Sequence, residues 1–196
     1  MITCTRALEK QLMSWNLPNT LTWARIAAIP LIVLLFYMPY PWADPAAGLL
    51  FAVAGITDSL DGYFARRLGQ ISRLGAFLDP VADKLIVAVA LVLLVSKDPR
   101  ALIVLTAAII IGREITISAL REWMAEIGAR RKVAVSQLGK YKTILQIIGL
   151  SLMLYRWQLF GLPTYRLGVV LTVIAAAATL VSMAAYLRMA WPELKR

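Results

Sequence analysis

The stretch LGVVLTVIAAAATLVSMAAYL, residues 167–187, contains no charged residue and is long enough to cross a bilayer as a helix. Five other apolar runs are shorter and, taken strictly, resemble buried helices of a soluble protein. Each reaches about 20 residues, the length of a membrane span, when it is extended at one end through a few charged positions. The sequence therefore predicts an all-α polytopic membrane protein with six transmembrane helices. We place the spans at about 20–40, 45–66, 75–96, 100–121, 139–156 and 166–188.

The composition supports a membrane protein. Of the 196 residues, 60% are hydrophobic. The chain has 21 Lys and Arg but only 11 Asp and Glu, which gives a net charge of +10. Disorder is excluded by the hydrophobicity, and a nucleic-acid partner is disfavoured because basic residues that bind nucleic acid lie on a polar surface. Apolar spans with basic cytoplasmic loops explain both numbers. We expect a single membrane domain, residues 1–196, because the length suits one compact unit and no linker divides it.

The positions of the charges predict the topology. Six alternating spans place the charged ends of the first five on the same side of the membrane, which implies a polar cavity in that face. That side also holds 16 Lys and Arg, against 4 in the opposite loops, so the cavity and both termini are predicted to be cytoplasmic. In residues 1–17, Leu8, Leu12 and Trp15 have helical spacing, so this segment is either a short interfacial helix or a frayed tail.

Four aspartates form the clearest candidate site. Asp58 and Asp61 are three residues apart, and Asp79 and Asp83 are four apart, so each pair shares a helix face. Carboxylates in a membrane are costly and repel each other unless a cation intervenes. The chain has no histidine, and its one cysteine is Cys4, so the ligands are oxygens, which suit Mg²⁺ or Mn²⁺. The alternatives are structural ion pairs with the neighbouring basic residues and a cation-coupled transporter. Those basic residues are Arg66, Arg67, Arg73 and Lys84.

The same segment resembles a known family signature. The pattern Asp58-x2-Asp61-Gly62-x2-Ala65-Arg66-x8-Gly75-x3-Asp79-x3-Asp83 matches every fixed position of the motif of the CDP-alcohol phosphatidyltransferases. The resemblance implies a six-helix, usually dimeric membrane enzyme that transfers a phosphatidyl group from CDP-diacylglycerol to an alcohol and releases CMP. It also implies that all four aspartates hold the metal, with two ions expected, and that Asp83 is the general base. The implied CDP-binding residues are Gly62, Ala65, Arg66 and Gly75, with Asn19, Thr22 and Arg25 bordering the nucleotide; helix capping is the alternative for Asn19 and Thr22.

Four further cations indicate the acceptor. Arg113 and Arg121 are eight residues apart on one helix face, and Lys140 and Lys142 begin the next span. This excess of positive charge favours an acceptor that carries a phosphate; ordinary loop charge is the alternative.

Longer segments resemble the bacterial family members that use sn-glycerol 3-phosphate: NLPNTLTWARIAAIP, GAFLDPVADK, REITISALREWMAE and VAVSQLGKYKT. The resemblance implies that phosphatidylglycerophosphate and CMP are the products, at the inner membrane, in phosphatidylglycerol and cardiolipin biosynthesis. The expected partners are the two substrates, membrane lipid and a second copy of the chain. The alternative within the family is an enzyme that uses an inositol phosphate as acceptor. The alternatives outside the family are a transporter and a non-catalytic scaffold.

Overall fold

The structure, a computed structural model, describes the backbone of residues 17–68, 73–128, 137–159 and 161–194. Side chains are described for residues 20–57, 78–128, 141–159 and 161–191. This part of the chain is helical apart from short connections, which confirms the predicted all-α class. The predicted interfacial segment, residues 1–17, lies outside the described residues except for its last position. The six described helices are α1 (Leu17–Tyr37), α2 (Ala43–Leu68), α3 (Arg73–Lys97), α4 (Ala101–Glu126), α5 (Gln137–Tyr155) and α6 (Thr164–Leu194).

Each helix overlaps one predicted span, and most ends differ by only a few residues. The largest difference is at α6, which continues to Leu194 rather than ending near residue 188. Helical hydrogen bonding does not stop where the apolar stretch stops, so charged flanks extend a helix beyond the part that hydropathy detects. Three described helical stretches are long and apolar enough to cross a membrane: Thr20–Tyr37, Ala101–Glu126 and Thr164–Trp191. Shorter apolar helical stretches are Ala43–Thr57 and Tyr141–Tyr155.

Helix α6 has its polar residues inside and its large apolar residues outside. Thr172, Thr179 and Ser182 are buried, whereas Ile174 and Val181 are exposed. A helix on the surface of a water-soluble protein has the opposite pattern. Lipid tails cover exposed apolar side chains without cost, while the buried hydroxyls of Thr172 and Ser182 hydrogen-bond within the protein. The distribution is therefore the one expected of a helix in a membrane.

The contacts divide the chain into two compact units, residues 1–90 and 91–196. In the first unit α1 packs against α2, which follows after a short connection. The fully buried side chains of this unit include Ile32 and Phe36 of α1 and Phe51 of α2. At the connection the exposed rings of Tyr40 and Trp42 stack, with their centroids 5.9 Å apart. Aromatic residues are enriched at membrane interfaces, which fits this position between two apolar helices.

In the second unit α6 packs against both α4 and α5. Two glycines allow the close approach of α5 and α6. A Cβ atom added to Gly168 would lie 2.6 Å from the carbonyl oxygen of Gly149 and 2.8 Å from the backbone nitrogen of Met153. Backbone atoms cannot move aside cheaply, so this crossing requires a residue without a side chain.

A polar network joins the α3–α4 connection to the start of α6. The Arg100 guanidinium donates two hydrogen bonds to the Asp98 carboxylate, at 2.7 and 2.6 Å, and the Tyr165 hydroxyl donates a third. These donors hold the pKa of Asp98 well below its usual range, with the Arg100 contact as the largest cause. The Arg156 guanidinium lies over the Tyr165 ring, 5.4 Å from its centroid. Arg100 and Arg156 were predicted only as basic residues of the outer loops, since nothing in the spacing brings residues 98 and 165 together.

Candidate active site

Asp79 and Asp83 of the predicted metal site are held from a neighbouring helix. They lie one turn apart on α3, so their carboxylates share a face of that helix. The Thr22 hydroxyl donates a hydrogen bond to Asp79 Oδ1, and the Arg25 guanidinium donates one to Asp83 Oδ1. Thr22 and Arg25 are three residues apart on α1, so the two contacts join one face of α1 to one face of α3.

Arg25 is a buried cation whose charge is balanced by a partly exposed carboxylate. Arg25 is 3% exposed, whereas the Asp83 side chain is 38% exposed. An unpaired charge at such a buried position would be costly, so the ion pair stabilises the contact between α1 and α3. The exposed part of Asp83 leaves room for another group while Arg25 holds the carboxylate in place. The ion pairs predicted from the sequence involved only basic residues closer to the aspartates along the chain.

The contact of Thr22 does not fit helix capping. Helix α1 begins at Leu17, so Thr22 lies in its second turn, and its hydroxyl contacts Asp79 rather than the first turn of α1. The resemblance placed Thr22 and Arg25 beside the nucleotide; the structure brings both to the aspartates. Asn19 is the third residue of α1, and its side chain lies outside the described part.

The remaining motif residues are described by backbone only. Asp58 and Asp61 lie on α2 at helical spacing, which places their positions on one face. Gly62, Ala65 and Arg66 follow in the last turns of α2, and Gly75 lies in the first turn of α3. Among the described side chains there is no cluster of three carboxylates that could hold a metal ion. The convergence of all four aspartates therefore stays a prediction.

The donor chemistry of the described pair fits a hard divalent cation. Asp79 and Asp83 offer carboxylate oxygens from one helix face, and the chain has no histidine to compete as a ligand. Mg²⁺ and Mn²⁺ prefer oxygen ligands. Ligating carboxylates are commonly oriented by hydrogen bonds from neighbouring side chains, which is the relation of Thr22 to Asp79.

Of the four predicted acceptor-binding cations, the structure brings two to the same helix. Arg121 of α4 lies over the ring of Tyr186, 5.7 Å from its centroid, and Lys142 of α5 donates a hydrogen bond to Ser182 Oγ at 3.1 Å. Ser182 and Tyr186 are one turn apart on α6, so Arg121 and Lys142 approach one face of α6. Within the described part of the chain, neither cation forms an ion pair.

Arg113 and Lys140 are placed differently. Arg113 lies eight residues before Arg121, about 12 Å away along the axis of α4, and forms an ion pair with its neighbour Glu114. Only 10% of the Arg113 side chain is exposed. Among the described residues, the Nε atoms of Arg113 and Arg121 are buried without a hydrogen-bond partner. Lys140 is on the first turn of α5, and its side chain lies outside the described part.

Ser182 and Tyr186 were not predicted from the sequence. Both belong to the last predicted span, which looked generic because nearly all its residues are small or apolar. A polar residue in a membrane span is a signal that could have identified Ser182. Tyr186 carries no such signal, because aromatic residues are common near the ends of spans.

The family model described as CDP-alcohol phosphatidyltransferase matches residues 15–185. A protein of Pseudomonas fluorescens is 51% identical over 181 residues, which cover 92% of each chain. Proteins of Escherichia coli (strain K12) and Shigella flexneri serotype 5b (strain 8401) are 48% identical over 182 residues, 93% of this chain and 98% of theirs. All three are named CDP-diacylglycerol–glycerol-3-phosphate 3-phosphatidyltransferase. This chain belongs to the CDP-alcohol phosphatidyltransferase family.

Proposed function

We propose that this protein transfers the phosphatidyl group of CDP-diacylglycerol to sn-glycerol 3-phosphate, giving phosphatidylglycerophosphate and CMP. One observation carries the proposal. This chain is identical at about half of the aligned positions, over more than nine tenths of its length, to relatives named CDP-diacylglycerol–glycerol-3-phosphate 3-phosphatidyltransferase. Phosphatidylglycerophosphate is the precursor of phosphatidylglycerol and cardiolipin. A complete match to the eight fixed motif residues supports the same chemistry.

Asp83 is proposed as the general base. It takes the proton of the acceptor hydroxyl, the hydroxyl oxygen attacks the phosphorus that bears the diacylglycerol, and the bond from that phosphorus to CMP breaks with its electron pair. The partly exposed Asp83 carboxylate supports this role, because a base must be accessible to its substrate. The hydrogen bond from Arg25 limits the rotation of this carboxylate.

Asp58, Asp61, Asp79 and Asp83 are proposed to hold Mg²⁺ or Mn²⁺, as one or two ions. Such an ion would neutralise the diphosphate and make CMP a better leaving group. Thr22 orients Asp79 within this set. We propose that the CDP moiety binds to residues at the end of α2 and the start of α3, together with residues in the N-terminal half of α1. These are Gly62, Ala65, Arg66, Gly75, Asn19, Thr22 and Arg25, of which Thr22 and Arg25 act through the aspartates that they contact.

Arg113, Arg121, Lys140 and Lys142 are proposed to bind the phosphate of the acceptor. The support is that Lys142 is only 5% exposed and that its described contact is with a neutral hydroxyl. A buried ammonium without a carboxylate is costly, and an anionic ligand would offset that cost. The same cations would suit an inositol phosphate, which is the second candidate acceptor.

The proposed topology has all six helices crossing the bacterial inner membrane as one domain, preceded by an interfacial segment at residues 1–17. Both termini and the polar cavity face the cytoplasm, where glycerol 3-phosphate is available. The charge distribution in the loops supports this orientation. The protein is proposed to act as a homodimer on substrates in the lipid bilayer, without a nucleic-acid partner.

The test is purified protein in detergent with CDP-diacylglycerol, Mg²⁺ or Mn²⁺ and a panel of alcohols, with CMP release as the readout. We expect release with glycerol 3-phosphate and much less with inositol phosphate, serine or water. Release with inositol phosphate alone would overturn the acceptor. Ion movement without CMP release from any acceptor would favour a transporter, and full activity of Asp83→Asn would remove that residue from catalysis.

A further inference from the structure

Helix α6 carries two neutral side chains that contact two of the proposed acceptor-binding cations. Ser182 contacts Lys142 of α5, and Tyr186 contacts Arg121 of α4. Both α6 residues are buried and lie one turn apart. One face of α6 therefore supports a cation from each of the two helices that pack against it.

The hydroxyl of Ser182 is oriented so that its oxygen accepts a hydrogen bond from the ammonium of Lys142. Its hydroxyl proton is directed to the carbonyl oxygen of Thr179, at 2.9 Å. This leaves the lone pairs of Ser182 Oγ for Lys142 Nζ, at 3.1 Å. An ammonium has three N–H donors, and a serine accepts one of them without neutralising the charge. Lys142 is thus fixed in position while its charge and further donors stay available to an anion.

Tyr186 holds Arg121 in a comparable way. The guanidinium lies over the face of the ring, and the ring is buried in a cluster with Ile117, Met124 and Ala190. A cation–π contact orients the guanidinium without using its N–H donors. Among the described residues the Arg121 Nε has no hydrogen-bond partner, although it is buried. A carboxylate in place of Tyr186 would fix the arginine equally well but would cancel its charge.

We infer that Ser182 and Tyr186 are positioning residues that set the affinity of the site for the phosphate of the acceptor. This inference rests on the proposed function of Arg121 and Lys142 as phosphate-binding residues. Neither α6 residue touches the reacting atoms. Their effect is on the binding of a phosphorylated acceptor rather than on the transfer step or on CDP-diacylglycerol.

The kinetic test compares two pairs of variants. Ser182→Ala removes the acceptor of the Lys142 hydrogen bond, and Ser182→Thr restores it. We expect Ser182→Ala to raise the KM for glycerol 3-phosphate about five- to tenfold, with kcat and the KM for CDP-diacylglycerol within about twofold of wild type. Tyr186→Leu removes the ring face and Tyr186→Phe keeps it, so only Tyr186→Leu should raise that KM, by about three- to tenfold.

Thr172→Val is the matched control, because Thr172 is also a buried hydroxyl residue of α6 but hydrogen-bonds to Gly168 and Met153 instead of a cation. It should leave the KM for glycerol 3-phosphate unchanged. Equal increases in the KM of both substrates, or an increase for Tyr186→Phe as large as that for Tyr186→Leu, would overturn the positioning role.

A binding measurement separates failure of this inference from failure of the proposed function. Inorganic phosphate is titrated calorimetrically into each purified full-length protein without substrates. Weaker phosphate binding to Ser182→Ala and Tyr186→Leu than to wild type and Thr172→Val supports the inference, even if glycerol 3-phosphate proves not to be the acceptor. Equal phosphate affinity in all variants, or no phosphate binding by wild type, overturns the inference even if CMP is released.

Discussion

Thr22 and Arg25 connect the candidate catalytic carboxylates to a second helix. A carboxylate on a single helix can change rotamer, and its position then depends on water or on the ligand. Here Asp79 and Asp83 each accept a hydrogen bond from a buried side chain of α1. The site is thus preorganised before substrate binds, which lowers the cost of assembling it during the reaction.

The first prediction concerns Thr22. Thr22→Val keeps the size of the side chain but removes the hydrogen bond to Asp79, whereas Thr22→Ser keeps the hydroxyl. Loss of a hydrogen bond to a metal ligand typically weakens metal binding about tenfold or more. We therefore expect Thr22→Val, but not Thr22→Ser, to raise the Mg²⁺ concentration for half-maximal CMP release by that factor. An unchanged metal dependence of Thr22→Val would show that Asp79 does not hold the metal through this arrangement.

The second prediction concerns Arg121. If it binds the acceptor phosphate, Arg121→Ala removes charge-assisted hydrogen bonds, and the KM for glycerol 3-phosphate should rise about tenfold or more, with a smaller effect on the KM for CDP-diacylglycerol. Arg166 is an exposed arginine at the start of α6, so Arg166→Ala is the control and should change neither KM. Steady-state kinetics with each substrate varied in turn measures both constants. Equal effects of Arg121→Ala on the two substrates would place the phosphate elsewhere.

At the residue scale, the sequence predicts which side chains form the candidate site but not the contacts that hold them. Spacing along one helix predicts that Asp79 and Asp83 share a face, because helical geometry alone decides this. The pairing of Arg25 with Asp83 joins residues 58 positions apart. Such a pairing depends on the rotation and depth of two packed helices, which no local pattern determines. The same reason explains why Ser182 and Tyr186 were missed.

At the scale of helices, the packing of α5 on α6 depends on small residues rather than on apolar burial. Lipid solvates apolar side chains as well as a protein interior does, so close backbone approach and van der Waals contact hold such helices together. Gly149 and Gly168 provide that approach, and Thr172 hydrogen-bonds to the Gly168 carbonyl oxygen at 2.8 Å.

The third prediction tests this crossing. Gly168→Ala would place a methyl group against the α5 backbone, so the two helices must separate, at a cost of about 1–3 kcal/mol or more. Gly112→Ala on α4 is the matched control, since its methyl group would meet no atom within 4 Å. Thermal unfolding in detergent should show a lower midpoint for Gly168→Ala and little change for Gly112→Ala. Equal midpoints for the two variants would contradict the close packing of α5 and α6.

The helices were predictable because an apolar run, extended where needed through a few charged positions to about 20 residues, has one stable backbone structure in a bilayer. Their ends were less predictable, because hydropathy locates the edge of the bilayer and not the last helical hydrogen bond. The network around Asp98 was not predictable at all, since it joins the α3–α4 connection to the start of α6 through Arg100 and Tyr165. Its basic members, Arg100 and Arg156, looked like ordinary charges of the outer loops.

At the scale of the whole molecule, the net charge of +10 has two proposed roles. Most basic residues lie in the segments assigned to the cytoplasm, where they orient the chain in the membrane. A smaller number, including Arg121 and Lys142, are placed on apolar helices and are proposed to bind an anionic substrate. Both roles require that the α4–α5 connection faces the cytoplasm and that the α5–α6 connection faces the opposite side.

The fourth prediction tests this orientation. Cys4 is the single cysteine, so Cys4→Ala provides a background for introducing others. Ile127, just after α4, and Leu159, after α5, are suitable positions because their side chains are similarly exposed, at 45% and 43%. Each is replaced by cysteine in a separate variant. A membrane-impermeant maleimide added to intact spheroplasts should label the cysteine at position 159 but not that at position 127, and lysis should expose both. The reverse labelling would invert the topology.

The central claim is that Asp83 serves as the base for phosphatidyl transfer to glycerol 3-phosphate. The most direct measurement is incorporation of radiolabelled glycerol 3-phosphate into lipid by purified wild type and Asp83→Asn, with CDP-diacylglycerol and saturating Mg²⁺. Loss of a general base typically lowers the rate about 10²–10⁴-fold. We predict labelled phosphatidylglycerophosphate from wild type and a loss of that size in Asp83→Asn. No labelled lipid from wild type, or a rate for Asp83→Asn close to that of wild type, would contradict the account.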